Sequence, residues 1–189
     1  MYPYTTYHAQ RLSDVKAEDI LAAQTNEPEQ AENGINGGRE NPPENMPANN
    51  GYDEYDVIIK NMMNDAIRNK SEQASYYARL ARTIHDKNDS DIIHNIHLDE
   101  LKHAKMLTDI YNDMFGSEPE ISSQERGISQ NMIYEFEKSM YDELEAAQYL
   151  RKLYFYFLNL GIRDYLYEIM SDDNAHALKL SHLYSKYNK

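Results

Sequence analysis

The chain has 189 residues, a net charge of −13, 41% hydrophobic residues and no cysteine. That length suits one compact domain plus an appendage, and the negative charge argues against nucleic-acid or anionic-membrane partners, because a phosphate surface would repel it. Without cysteine there are no disulfides, thiol nucleophiles, Fe–S clusters or Cys-ligated zinc, and no apolar run reaches the roughly 18 residues of a membrane span.

The first residues, Met1 to His8, lack a basic stretch followed by an apolar one. They do not read as a secretory signal, so the cytoplasm is the expected compartment. Val15, Ile20 and Leu21 are spaced for a short helix over 14–24. From 25 to 51 the chain is Asn, Glu, Pro and Gly with almost no large apolar side chain. Such a segment cannot bury enough surface to offset its ordering entropy. Residues 1–51 are therefore expected to be a flexible acidic tail. Its aromatic start (Tyr2, Tyr4, Tyr7) offers a docking element for a protein partner, and a plain disordered terminus is the simpler alternative.

From residue 52 the apolar period becomes helical, and 52–189 reads as one domain. A first helix is expected over about 53–85, with Ile59, Met62, Met63, Ala66, Tyr77, Leu80, Ala81 and Ile84 on one face. Asp89, Ser90 and Asp91 offer N-caps for a second helix. Its stripe is Ile93, Ile96, Leu107, Ile110, Tyr111 and Met114, and Gly116 is its expected stop. Pro119 lies in the connection. A third helix should start between 122 and 128, where Ser122-x-x-Glu125 has the form of a capping box, and end near 160. Gly161 marks the expected turn into a fourth helix over about 163–187. The expected fold is all-α: an antiparallel four-helix bundle made of two helical hairpins. The connection between the second and third helices is the candidate for a long crossover.

The two hairpins resemble each other at an offset of 73 residues without a gap. Glu72 aligns with Glu145, Ala74 with Ala147, Tyr76 with Tyr149 and Leu80 with Leu153. Asp99 aligns with Asp172, His103 with His176, Ala104 with Ala177, Leu107 with Leu180 and Tyr111 with Tyr184. In each repeat a carboxylate, Glu100 or Asp173, stands three residues before a histidine, His103 or His176. On a helix those positions share a face within about 5–6 Å, so both side chains can hold one metal ion. Both carboxylates fall in the middle of apolar stripes and aim at the core. A buried, unpaired carboxylate is costly, so something positive should meet them. One such motif is a weak signal; two at matching repeat positions are a strong one. A network of buried His–carboxylate hydrogen bonds is the alternative.

Thirty residues before Asp173 stands Glu143, again on an inward stripe. Thirty residues before Glu100 stands Lys70, likewise inward, while Glu72 falls on the solvated face. The inward polar set is Lys70, Glu100, His103, Glu143, Asp173 and His176.

These motifs resemble the rubrerythrin branch of the ferritin-like superfamily over residues 53–189. Ala66-Ile67-Arg68, Asp142-Glu143-Leu144-Glu145-Ala146 and Asp172-Asp173-x-x-His176-Ala177 read like a bacterial ferritin-like group. Such proteins hold two metals with one Glu from each of two helices and a Glu-x-x-His from each of the other two. The resemblance implies iron or manganese, a diiron-carboxylate type of centre, and oxidoreductase, peroxidase or iron-handling chemistry. By position it implies Glu100, His103, Glu143 and His176 as ligands, with Asp173 one methylene shorter than the usual Glu. Lys70 replaces a ligand Glu, and an ammonium is a donor that repels a cation. Three outcomes follow: a single ion with Lys70 standing in for the second, a metal-free site neutralised by Lys70 and the histidines, or a rotated first helix that brings Glu72 inward and keeps two ions. A non-catalytic bundle serving assembly is the competing function. The Cys-rich rubredoxin module is absent, so any electron donor would be a separate protein.

Tyr77, on the face of Lys70, either hydrogen-bonds a ligand carboxylate or mediates one-electron chemistry, or is simply core with a satisfied hydroxyl. His97 lies near the inward face. His85, His94 and His182 read as surface or boundary residues. Tyrosines number 17, and several, including Tyr149, Tyr154, Tyr156, Tyr165 and Tyr167, fall off the core stripes. Outward aromatics on a bundle point to self-association, most simply a homodimer.

Overall fold

The computed structural model describes the backbone of residues 50–122 and 124–189, with side chains from residue 54 onward. The expected tail, 1–51, lies almost wholly outside the described residues, and so does Ser123. Four helices make up the described chain: α1, Asn50–Ala81; α2, Lys87–Phe115; α3, Met132–Tyr156; and α4, Leu160–Tyr187. There is no strand among the described residues. The fold is an all-α four-helix bundle, and Ile59–Lys189 belong to one compact unit. Among the described residues no helix is long and apolar enough to cross a membrane.

The apolar stripes form the core as the 3.6-residue period requires. Ile59, Met63, Leu80, Ile93, Ile96, Leu107, Phe136, Leu150, Ile169, Leu180 and Leu183 are buried. One apolar cluster, joining Tyr76, Tyr77, Leu80, Ile93, Ile96, Phe136, Leu180 and Leu183, takes side chains from all four helices.

Several helix ends differ from the sequence expectation, each for a local reason. α1 stops at Ala81 rather than near 85, and the hydroxyl of Ser90 donates to its last carbonyl at 2.8 Å. α2 is capped by Asp86, whose carboxylate accepts from the amides of Asn88 (2.9 Å) and Asp89 (3.1 Å). Asp89, an expected cap, is buried instead and holds Lys186 Nζ at 2.8 Å and the Tyr187 hydroxyl at 2.9 Å. Gly116 does end α2, with φ 62° and its N–H on Asn112 O at 2.9 Å.

α3 begins at Met132, not between 122 and 128, because Asn131 rather than Ser122 caps it, accepting from Tyr134 N at 3.2 Å. Residues 116–131 are therefore a longer connection than expected. Arg126 ties it down: its guanidinium lies 4.1 Å from the Tyr76 ring centre and bonds Glu135 at 2.8 Å and Asp142 at 2.6 Å. Gly161 lies inside α4 rather than in the turn, since Asn159 caps that helix on Ile162 N at 3.1 Å. Of the tyrosines named above, Tyr167 is exposed and the other four are half-buried.

Candidate metal centre

Lys70, Glu100, His103, Glu143, Asp173 and His176 are all buried, none more than 1% exposed. Each of the four helices contributes, because each residue sits mid-stripe on its helix. Glu72 does not join them: its carboxylate accepts from Gln124 N at 2.8 Å, so the rotated-helix expectation fails. His97 is half-buried, with Nδ1 2.8 Å from Ala74 O, while His85, His94 and His182 are exposed.

The six residues sort into two halves around the shared pair Glu100 and Asp173. In one half, Lys70 Nζ lies 2.6 Å from Asp173 Oδ1 and 3.1 Å from Glu100 Oε2, with its directed hydrogen bond to Glu100 at Oε1, 3.3 Å away. His103 is on this side, its Nδ1 3.4 Å from Glu100 Oε1 and 3.8 Å from Asp173 Oδ1. In the other half, His176 Nδ1 is 3.3 Å from Glu100 Oε1 and 3.6 Å from Glu143 Oε2. Glu100, Glu143, Asp173 and His176 each present a donor atom within 4.8 Å of the others, a set that could hold one cation. His103 lies outside that set of four.

The histidines are held crosswise. His103 Nε2 lies 3.1 Å from Asp172 Oδ2, and His176 Nε2 lies 3.0 Å from Asp99 Oδ2. Each aspartate thus orients the histidine of the other repeat. With Nε2–H donating to a carboxylate, a neutral imidazole keeps its lone pair on Nδ1. Both Nδ1 atoms are buried without a hydrogen-bond partner, and so are Glu100 Oε2, Glu143 Oε2 and Asp173 Oδ2. Three of these atoms, Glu143 Oε2, Asp173 Oδ2 and His176 Nδ1, belong to the residues that could share one cation, and buried polar atoms ordinarily find partners. Carboxylate support of a ligating histidine is also the usual outer arrangement of a metal site.

Charge tells the same story. Three buried carboxylates and one ammonium leave an excess of two negative charges if the histidines are neutral, the charge of one divalent ion. Without an ion, protons fill the gap. Burial works against a charge on His176, but the carboxylates of Glu100 and Glu143, 3.3 and 3.6 Å from its Nδ1, and of Asp99 at its Nε2 outweigh it and raise its pKa to about 10. Burial opposes the Lys70 charge too, yet Glu100, Asp173 and Glu143 hold that pKa above the ordinary lysine value. Burial raises Asp173, only partly offset by Lys70. At Glu100 burial is overcome by Lys70 and both histidines, and the pKa is lowered.

Tyr77 donates to Glu143 Oε1 at 2.5 Å while its ring is buried in the apolar cluster, so it bonds a carboxylate and fills the core at once. Three residues of the assembly carry no role in the sequence reading. Asp99 and Asp172 appear there only as aligned repeat positions, and nothing in the chain reveals that they pair crosswise. Gln73, whose Oε1 accepts from Lys70 Nζ at 3.3 Å, leaves no sequence signal. No protein-family model, curated protein or solved structure matches the chain.

Proposed function

We propose that the chain is a ferritin-like metal-binding protein of the rubrerythrin type, with two repeated helical hairpins and one divalent ion, iron or manganese, in the half of the core formed by Glu143 and His176. Glu100 and Asp173 complete the ligand set, and Lys70 takes the second cation's place beside His103. The observation that carries this reading is the cluster of Glu100, Glu143, Asp173 and His176, which each present an atom within 4.8 Å of the others, with Glu143 Oε2, Asp173 Oδ2 and His176 Nδ1 buried without a hydrogen-bond partner.

The donor set fits such an ion. Carboxylate and imidazole suit iron and manganese, and thiolates, which softer metals favour, are missing. A bound redox-active ion would supply oxidation or peroxide- and iron-handling chemistry. The chain's own residues bind and orient: Asp99 and Asp172 set the imidazoles, Tyr77 fixes Glu143, and Lys70 holds Glu100 and Asp173 apart from a second ion. The competing reading is a non-catalytic bundle with a structural or assembly role. The short Lys70–Asp173 pair favours it, because it neutralises part of the core without metal.

Metal analysis of protein purified from its own host separates the two. The first reading expects about one iron or manganese per chain, from the excess of two charges. A content far below that, together with unchanged stability on chelation, would establish the second. Self-association as a homodimer or higher homo-oligomer, through the outward aromatics, belongs to both readings and is checked by light scattering.

A further inference from the structure

Gln148 lies at the middle of an outward stripe on α3. At about 100° per residue, Tyr141, Leu144, Glu145, Arg151, Lys152 and Phe155 all fall within about 60° of it. Leu144 is half-buried and the others are exposed. From Tyr141 to Phe155 the stripe is about 21 Å long at 1.5 Å per residue. Its aromatic ends stand out into solvent, Tyr141 at 55% exposure and Phe155 at 59%. Beside Phe155 a groove of about 490 Å³ lies between α3 and α4, with the exposed ring of Tyr167 on its α4 side. Among the described residues no carboxylate lines this groove, in a chain of net charge −13.

The charges on the stripe are ordered. Glu145 stands three residues before Gln148 and Arg151 three residues after it. Among the described residues neither side chain has a hydrogen-bond or ion-pair partner, whereas Lys102, Lys105, Lys138 and Lys186 are all paired. A second copy laid antiparallel on the stripe, with the two helices crossing at Gln148, matches it. Residues equally far from Gln148 on opposite sides then meet. Tyr141 faces Phe155, Glu145 faces Arg151, and the stem of Lys152 covers Leu144. A two-fold axis makes each of these contacts twice. A parallel pairing instead sets Glu145 on Glu145 and Arg151 on Arg151, and like charges oppose it.

We propose that α3 is the seam of a two-fold homodimer, crossing its counterpart antiparallel at Gln148, with Tyr141 of each copy entering the groove between Phe155 and Tyr167 of the other. Aromatic burial at both ends and opposite charges near the centre offset the repulsion between two acidic chains. This deepens the self-association reading by naming its surface, and it rests on that reading. The seam is separate from the metal centre, because Glu143 is buried on the inward side of α3.

The chain has no cysteine, so a single introduced thiol reports without background. In full-length protein, Gln148→Cys puts the two thiols of a dimer beside the axis, and a short bis-maleimide should join them. Leu98→Cys, 48% exposed on α2, should stay unjoined under the same conditions. By analytical ultracentrifugation, Arg151→Glu sets like charges opposite each other twice and should raise the dimer dissociation constant tenfold or more. Adding Glu145→Arg to the same chain reverses the pair and should restore the dimer. All these side chains are exposed, so each variant should keep the native melting curve. A wild-type chain that stays monomeric at every concentration overturns self-association and the seam together. A wild-type dimer overturns the seam alone if Gln148→Cys joins no better than Leu98→Cys, if Arg151→Glu leaves affinity unchanged, or if the reversed pair fails to restore it.

Discussion

Lys70 Nζ lies 2.6 Å from Asp173 Oδ1, and the residue one repeat beyond Lys70 is Glu143. A cation thus stands where the other repeat carries a carboxylate, and it is paired across the bundle with the fourth helix. Removing it should be costly. Lys70→Met leaves Glu100 and Asp173 buried without their ammonium, and the metal-free protein should lose about 3–5 kcal/mol, the usual cost of breaking a buried pair. Chemical denaturation checks this. Lys70→Glu, which restores the repeat, should raise metal content from about one to about two ions per chain by the same charge balance, measured by elemental analysis.

Asp172 and Asp99 each hold a histidine by Nε2, at 3.1 and 3.0 Å. Both are part-exposed, so Asp99→Asn should fold normally. Loss of this support should weaken the ion about 10–100-fold. Asp172→Asn should have the smaller effect, because His103 lies on the Lys70 side. Competition with a chelating dye measures both, and equal losses would contradict the assignment of halves.

The pH dependence follows from His176. Its pKa rises from 6.5 to about 10 in the metal-free fold. The folded state therefore keeps a proton that the unfolded chain loses. That contribution to stability is complete below pH 6.5 and disappears as pH rises through about 10. Melting temperature of the metal-free protein should fall between those limits. Ion binding must displace the proton, so the metal-loaded protein should lose less over the same range, and binding should release protons measurable in weakly buffered solution.

Tyr77→Phe removes a hydrogen bond to the buried carboxylate of Glu143. Bonds to charged groups are worth about 1.5–3 kcal/mol. The variant should lose about that much in the metal-free state, read from equilibrium unfolding.

How far the sequence could be read depends on the range of the interaction concerned. The stripes through Ile59, Ile93, Leu150 and Leu180 follow from helical period alone, and the same period placed all six core residues inward. Helix ends depend on which of several polar residues wins a local contest. Asp86 caps α2 because Asp89 is taken by Lys186 and Tyr187 from the far end of α4. Ser122-x-x-Glu125 has the right form for a cap, but Arg126 fastens that stretch to Glu135 and Asp142 as connection rather than helix. At the centre, the repeat exposed Glu100, His103, Asp173 and His176 together. It could not reveal the crosswise pairing of Asp99 with His176, since this depends on the register between α2 and α4. Nor could it tell which carboxylate Lys70 would choose: Glu100 and Asp173 hold it, while Glu143 is held by Tyr77.

Anomalous diffraction at the iron and manganese edges, on crystals of protein purified from its own host, tests the central claim most directly. A single peak among Glu100, Glu143, Asp173 and His176, with Lys70 still on Asp173, is the predicted result. An absence of anomalous density there, with both imidazole Nδ1 atoms hydrogen-bonded to Glu100, would contradict it.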